Sequence, residues 1–234
     1  MSKKVLVTGG TRGIGFASAT LLLQAGYEVV VTGTSRQGQS PKGCAYLACD
    51  FSDRSATENF AEKISDLKFS VLINNAGINK IGPLADYDLK DFERLQQVNI
   101  TAPFLLCRAL VPGMCSSHYG RIVNITSVFS VVSREGRSAY SASKFGLFGL
   151  TRALALEVAK ENVLVNCLAP GFVDTELTCS VLGEKGIAEI KSKIPMRRLA
   201  TPEEIAKVVV FLAGEENTYM TGQNIVVDGG FVSE

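Results

Sequence analysis

Seven short runs rich in valine, isoleucine and leucine recur along this chain, at residues 4–7, 27–32, 45–49, 70–73, 121–125, 163–168 and 224–227, and stretches of helical periodicity separate most of them. Parallel strands need a crossover long enough to hold a helix, so this alternation predicts one parallel sheet with helices on both faces. The runs VLV, EVVV and SVLI are almost continuously apolar rather than alternating, as expected of central strands covered on both sides. The expected fold class is therefore α/β, a doubly wound parallel sheet of about seven strands. With 234 residues, 46% of them hydrophobic, the chain has material for one substantial core, and a single domain over 1–234 is expected.

Helix signals fill the gaps. Residues 138–161, SAYSASKFGLFGLTRALALEVAKE, form the longest helical pattern, and Gly146 and Gly149 within it permit close packing. Thr201 as N-cap, followed by Pro202, Glu203 and Glu204, starts another helix that runs to about Gly214. Residues 172–200 are the least regular, and such a segment in an enzyme often serves as a substrate lid.

Charge and composition exclude several functions. Lys and Arg total 24 against 23 Asp and Glu, with no long single-sign run, so neither a nucleic acid nor an anionic membrane is an expected partner. Only three apolar residues separate Lys4 from Thr8, too few for a signal sequence or a membrane span, and a cytoplasmic protein is expected. The six cysteines show no metal-ligand spacing and no disulfide is expected; the one histidine, His118 in SSHYG, reads as a surface-loop residue, so no metal site is expected.

The first run leads directly into TGGTRGIG, with Gly9, Gly13 and Gly15 ahead of the apolar helix FASATLLLQAG. Amides at that helix N-terminus suit a pyrophosphate, and glycines let phosphates approach, which makes the sheet Rossmann-like. The spacing is G-x-x-x-G-x-G rather than G-x-G-x-x-G, and alone it also fits a simple tight turn. NAD-binding proteins place an acid at the end of the second strand to hold the ribose hydroxyls. Here that stretch reads VVVTGTSR, offering Thr34, Ser35 and Arg36, while Arg12 lies in the glycine turn. A 2′-phosphate would meet donors there, so NADP(H) is expected over NAD(H).

Tyr140 and Lys144 in YSASK are four positions apart on the long helical pattern and share one face. A phenol titrating near 10 is a poor acid–base group at neutral pH; bringing it there takes roughly 4 kcal/mol. One ammonium about 5 Å away supplies about 3 kcal/mol at an effective dielectric near 20. Thirteen residues before Tyr140, VNITS ends a strand with Ser127 at the carboxyl edge, where a hydroxyl can meet a substrate carbonyl.

Taken in order, TGGTRGIG, Asp50, NNAG at 74–77, Asn99, Ser127, YSASK and the Pro170–Gly171 pair resemble the short-chain dehydrogenase/reductase family over essentially the whole chain. The resemblance implies that Asn99 holds a proton-relay water, Ser127 orients the carbonyl, Tyr140 donates the proton, and Lys144 contacts the ribose and lowers the tyrosine pKa. It also implies a cofactor site built from Gly9, Thr11, Arg12, Gly13, Ile14, Gly15, Asp50, Phe51, Asn75, Ala76, Gly77, Pro170, Gly171, Val173 and Thr175, with Thr34, Ser35 and Arg36 as the phosphate end. The cofactor-binding half would be about 1–125 and the catalytic and substrate-loop half about 126–234. Asn99 and NNAG also have structural readings, as a helix bend and a strand anchor. Family members are usually tetramers, and a homotetramer is expected.

Within the family, NNAGI, YGRIVNITS, LAPGFVDTEL, IPMRRLATPEEIA and TGQNIVVDGG look most like the bacterial 3-oxoacyl-acyl-carrier-protein reductases. That subgroup is expected to contact acidic acyl carrier protein through a basic residue at Arg121 and another before the sixth strand, where this chain has Lys160 and Glu161. The departure leaves room for a CoA thioester or a free ketone of secondary metabolism. Arg134, Arg137, Arg197 and Arg198 would surround the active-site mouth and receive a phosphopantetheine or an acidic carrier helix, although Arg197 or Arg198 would equally pair with acids of the next helix. An NADPH-sensing regulator without turnover is the reading from another class, and operation as an alcohol dehydrogenase is a third.

Overall fold

The computed structural model describes residues 3–233. The apolar runs become β1 (Lys4–Val7), β2 (Glu28–Gly33), β3 (Ala45–Ala48), β4 (Val71–Asn74), β5 (Gly120–Ile125), β6 (Val163–Pro170) and β7 (Asn224–Val227). All pair in parallel in one sheet, in the order β3-β2-β1-β4-β5-β6-β7. Strand order reverses between β1 and β4, and a crevice at the carboxyl ends of the strands there is where such sheets take ligands.

Period-two alternation divides the strand residues between two cores. Leu6, Leu72 and Ile122 face a cluster closed by α2 (Arg54–Ser65), α4 (Ala102–Ser116) and α5 (Ser138–Val158). Val5, Val7, Val71, Ile73 and Val123 face the opposite cluster, under α1 (Gly13–Gln24) and α7 (Pro202–Ala213). This is why β1, β2 and β4 read as near-continuous apolar runs: both faces are covered. Helix starts follow local chemistry. Asp53 accepts from the Ala56 amide to open α2, and Thr201 and Glu204 form a reciprocal capping box on α7.

Two elements bear directly on the site. Helix α3 (Leu89–Gln96) runs into α4 through a π-helical turn, Gln97–Thr101, that carries Asn99. The combined run Leu89–Ser116 is the one stretch among the described residues long and apolar enough to cross a membrane, and it places Leu105, Leu106, Leu110 and Met114 in the core. The stretch 172–200 is more ordered than its sequence suggests. It holds α6 (Glu176–Lys193), capped by Thr175 and broken at Gly183, whose φ of 62° departs from helical geometry. Ile190, Ile194, Leu199, Phe172, Phe129 and Val128 form a third apolar cluster beneath it, with Tyr140 packed against it.

Candidate active site

β1 delivers the chain into the glycine turn. Gly9 and Gly13 take φ of +63° and +53°, the left-handed region that glycine adopts without strain. A Cβ on Gly15 would lie 2.3 Å from the Gly9 carbonyl oxygen, so α1 can seat this tightly only with glycine there. No side chain caps α1 at Arg12, and its first turn carries no acid, which leaves the leading amides available to an anion. Asn75 fixes the turn from below: its Nδ2 donates to the Thr8 and Gly9 carbonyls at 2.9 and 3.0 Å, and Thr8 Oγ1 accepts from the Asn75 and Ala76 amides at 2.9 Å. NNAG therefore serves the turn as well as the strand, since Asn74 Nδ2 also donates to Asn124 Oδ1 at 2.8 Å within the core. We expect Gly15→Ala to lower stability by about 2 kcal/mol, the scale of overpacking, with weakened NADPH binding; thermal melts with and without NADPH read both effects.

A cleft of about 370 Å³ extends from this turn along the carboxyl edge. It is lined by Gly9, Thr11, Arg12, Gly13, Ile14 and Thr34, by Asp50, Phe51, Asn75, Ala76 and Gly77, and by Ser127, Tyr140, Lys144, Pro170, Gly171, Val173 and Thr175, with Thr175 set against Gly13. These sequence-selected residues, more than 150 positions apart at the extremes, converge on one surface. Gly15 packs beneath it, and Asn99 lies behind it. Ser35 and Arg36 stand outside the lining, with Arg36 exposed and free of ion pairs among the described residues. Ile78, Ile125, Thr126, Glu176 and Leu177 also line the cleft; they fall within NNAGI, VNITS and LAPGFVDTEL without being site candidates, while Arg94 and Thr178, which line it too, belong to no motif. Arg12 Nη1 lies 3.1 Å from Glu176 Oε2 at the start of α6, in an exposed pair. Asp50 Oδ1 accepts from the Ser52 amide at 2.9 Å and its hydroxyl at 2.8 Å, and these hydrogen bonds hold its carboxyl below the usual range.

At the far end, Ser127 follows β5 by two residues and caps a short helical turn, its Oγ accepting from the Phe129 amide at 3.2 Å. Tyr140 and Lys144 sit one turn apart at the start of α5, with Lys144 Nζ 5.6 Å from the tyrosine ring centroid. Nζ donates to the Ile125 carbonyl at 2.9 Å. Asn99, 1% exposed, donates to the Ile78 carbonyl and to Ser143 Oγ, both at 3.0 Å, while its Oδ1 accepts from the Ile78 amide. It thus ties the π-helical turn both to the chain beside Gly77 and to α5.

The electrostatics depart from the expected pairing. Burial pushes the Tyr140 phenol above its ordinary 10, against the opposing pull of Ser127 and Arg137. Burial pushes Lys144 down to about 8. Both groups lose hydration together, so desolvation dominates, and the ammonium spends its contact on Ile125 rather than on the phenol.

Several cations expected at the carrier-protein contact or the active-site mouth are engaged elsewhere. Arg121 is 3% exposed near the start of β5, away from the catalytic edge; it donates to the Gly120, Asn162 and Asn217 carbonyls and stacks on Tyr119. So placed, it offers no surface to a carrier protein. Glu161 pairs with His118 at 2.9 Å, an exposed loop contact consistent with the surface reading of that histidine. Arg198 makes a two-pronged pair with Glu204 at 2.7 and 2.6 Å, and Arg197 is turned back onto the Ser192 carbonyl. The cysteines form no disulfide, and no cluster of metal ligands occurs among the described residues.

A family profile described as enoyl-(acyl carrier protein) reductase matches residues 9–232. A 3-oxoacyl-(acyl-carrier-protein) reductase of Aquifex aeolicus is 40% identical, covering 97% of this chain and 96% of that protein. The enzyme of the same name from Chlamydia pneumoniae is 36% identical over 98% and 97%. The crystal structure of a putative NAD(P)-dependent gluconate 5-dehydrogenase from Beutenbergia cavernae with bound NADP superposes with a TM-score of 0.92, at 34% identity and over 99% and 97% of the two chains. Fold, site and relatives agree: this chain belongs to the short-chain dehydrogenase/reductase family.

Proposed function

We propose that the protein is an NADPH-dependent reductase that converts a 3-oxoacyl thioester, carried on acyl carrier protein, to the 3-hydroxyacyl product, with Tyr140 as proton donor. The observation that carries this reading is the meeting of Ser127, Tyr140 and Lys144 at one end of a cleft whose other end is a glycine turn with an uncapped helix N-terminus. The glycine cradle, which a Cβ on Gly9 or Gly15 would crowd, suits a dinucleotide pyrophosphate. NADPH, when bound, supplies the hydride. Ser127 donates a hydrogen bond to the carbonyl oxygen, and the Tyr140 hydroxyl, kept protonated by burial, gives its proton to that oxygen as the alcohol forms. Lys144 would hold the ribose hydroxyls of the bound cofactor, and Asn99 keeps the π-helical turn in register with the chain beside Gly77 and with α5. The relatives named for 3-oxoacyl-(acyl-carrier-protein) reduction support the thioester substrate.

Preference for NADPH rests on the end of β2, where Thr34 lines the cleft and no acid stands. Thr34→Asp should lower the ratio of NADPH to NADH efficiency at least about tenfold, because a carboxylate accepts the ribose hydroxyls and repels the phosphate. A homotetramer in the cytoplasm completes the proposal. Phe104 on α4 and Phe145 and Leu156 on α5 are exposed, at 44%, 45% and 84%, and offer an apolar face for a second copy. Initial rates of NADPH oxidation with acetoacetyl-carrier protein, acetoacetyl-CoA and simple ketones test the substrate. The carrier thioester should be used most efficiently; a preference for simple ketones would overturn the assignment.

A further inference from the structure

Arg137 is the N-cap of α5, one turn ahead of Tyr140, and only 3% of it is exposed. A buried guanidinium normally has its five N–H donors matched by carboxylates or carbonyls. Here the side chain has no hydrogen bond and no ion pair among the described residues; its contact is with the Phe129 ring, 4.9 Å from the guanidinium carbon. No acid offsets it. Arg134 adds a second positive charge nearby, and burial holds the Arg137 pKa below its usual value.

The surroundings explain what such a cation could serve. Arg137, Tyr140 and Ser127 line a pocket of about 80 Å³ that opens beside the catalytic end of the cleft, walled by Phe129 and Phe172 and roofed by α6. Across it, Asn79 Oδ1 is buried without a hydrogen-bond partner. Amide oxygen and nitrogen exchange places on rotation, and the rotated amide would give an anion a further donor. The volume suits a carboxylate and a few carbons, not an acyl chain. A neutral thioester oxygen could accept one hydrogen bond from Arg137 but would leave its charge uncompensated, whereas a carboxylate meets the planar fork with two.

We propose that Arg137 is a specificity-determining anion subsite, and that this enzyme also reduces small free oxo acids whose carboxylate docks on the guanidinium while the ketone reaches Ser127 and Tyr140. This second activity rests on the ketoreductase reading of the same tyrosine. The balance is that of the parent reaction: the C=O π bond breaks, the NADPH hydride forms the new C–H bond, Tyr140 supplies the proton to oxygen, and the carboxylate is unchanged.

The test compares acetoacetate with acetoacetyl-CoA as substrates for the wild type, Arg137→Met and Arg137→Lys, together with binding of 3-hydroxybutyrate to each protein in the presence of NADP⁺. Loss of a buried charge partner should lower the oxo-acid-to-thioester efficiency ratio about a hundredfold in Arg137→Met, with partial recovery in Arg137→Lys. A melting temperature no lower than that of the wild type, together with retained NADPH binding, shows that the variants fold. An equal loss on both substrates, or no acetoacetate reduction by a wild type that reduces the thioester, overturns the subsite. If NADPH binds but neither substrate turns over, the ketoreductase reading fails, and 3-hydroxybutyrate binding decides the subsite alone: Arg137-dependent binding supports it and Arg137-independent or undetectable binding refutes it.

Discussion

Tyr140→Phe is expected to reduce kcat for ketone reduction about a thousandfold while leaving NADPH affinity within a few-fold of wild type. The change removes one oxygen from a side chain whose ring already packs edge-on against Phe129, with centroids 6.2 Å apart, so the fold keeps its packing. What is lost is the proton source beside Ser127, and general acid catalysis is worth about two to four orders of magnitude. Burial raises the Tyr140 pKa, so the hydroxyl stays protonated through neutral pH, the form that reduction requires. Steady-state kinetics and fluorescence titration with NADPH separate the two effects. A parallel loss of cofactor affinity and rate would assign Tyr140 to binding rather than to proton transfer.

Lys144→Met should do two opposite things: cut turnover by at least about a hundredfold and make the protein without cofactor more stable at pH 7. The ammonium is buried, 4% exposed, with one carbonyl as its hydrogen-bond acceptor and no carboxylate to offset it. Its pKa falls from 10.5 to about 8, which corresponds to about 3 kcal/mol of unfavourable burial. Loss of the bond to Ile125 costs about 1 kcal/mol of that gain, so a net stabilisation of about 2 kcal/mol is expected. The sign fixes the pH window. Between about pH 8 and 10.5 the unfolded chain keeps a proton that the folded one has released, so wild-type stability relative to Met rises across that window and the advantage of Met disappears above it. Denaturant melts of both proteins from pH 7 to 11 measure this directly. The same titration predicts that kcat/KM for reduction, which reports the free enzyme, declines above about pH 8 as the ammonium loses its charge. A stabilised but inactive variant identifies a residue kept for function at the expense of the fold.

The strands were legible because a parallel sheet buried on both faces demands continuous apolar runs, and β1, β2 and β4 provide them. The start of α7 was legible because Thr201, Pro202 and Glu204 are neighbours in sequence and their capping chemistry is local. The convergence of Gly9, Ser127, Tyr140 and Lys144 could be anticipated because each terminates or follows a strand, or starts a helix, at the carboxyl edge of the sheet. The order within residues 172–200 was harder to read. Its helix starts among polar residues, and Gly183 breaks the periodicity that would have announced it. Long-range partners were invisible as well. Arg12 meets Glu176 from 164 positions away. Nothing local tells Arg121, sequestered by Asn162 and Asn217 carbonyls, from an exposed basic residue. The lowering of Lys144 was missed for a related reason: spacing places it beside Tyr140, but only the packed core reveals how little water remains.

The proposed function requires hydride delivery to the C3 carbonyl of a 3-oxoacyl thioester at this site. The most direct measurement supplies NADPH deuterated at the transferable position together with acetoacetyl-carrier protein and determines by mass spectrometry where the label goes. A 3-hydroxyacyl product carrying one deuterium at C3 is expected, formed by the wild type and not by Tyr140→Phe. Recovery of unlabelled 3-oxoacyl thioester, from a protein that demonstrably binds NADPH, would contradict it.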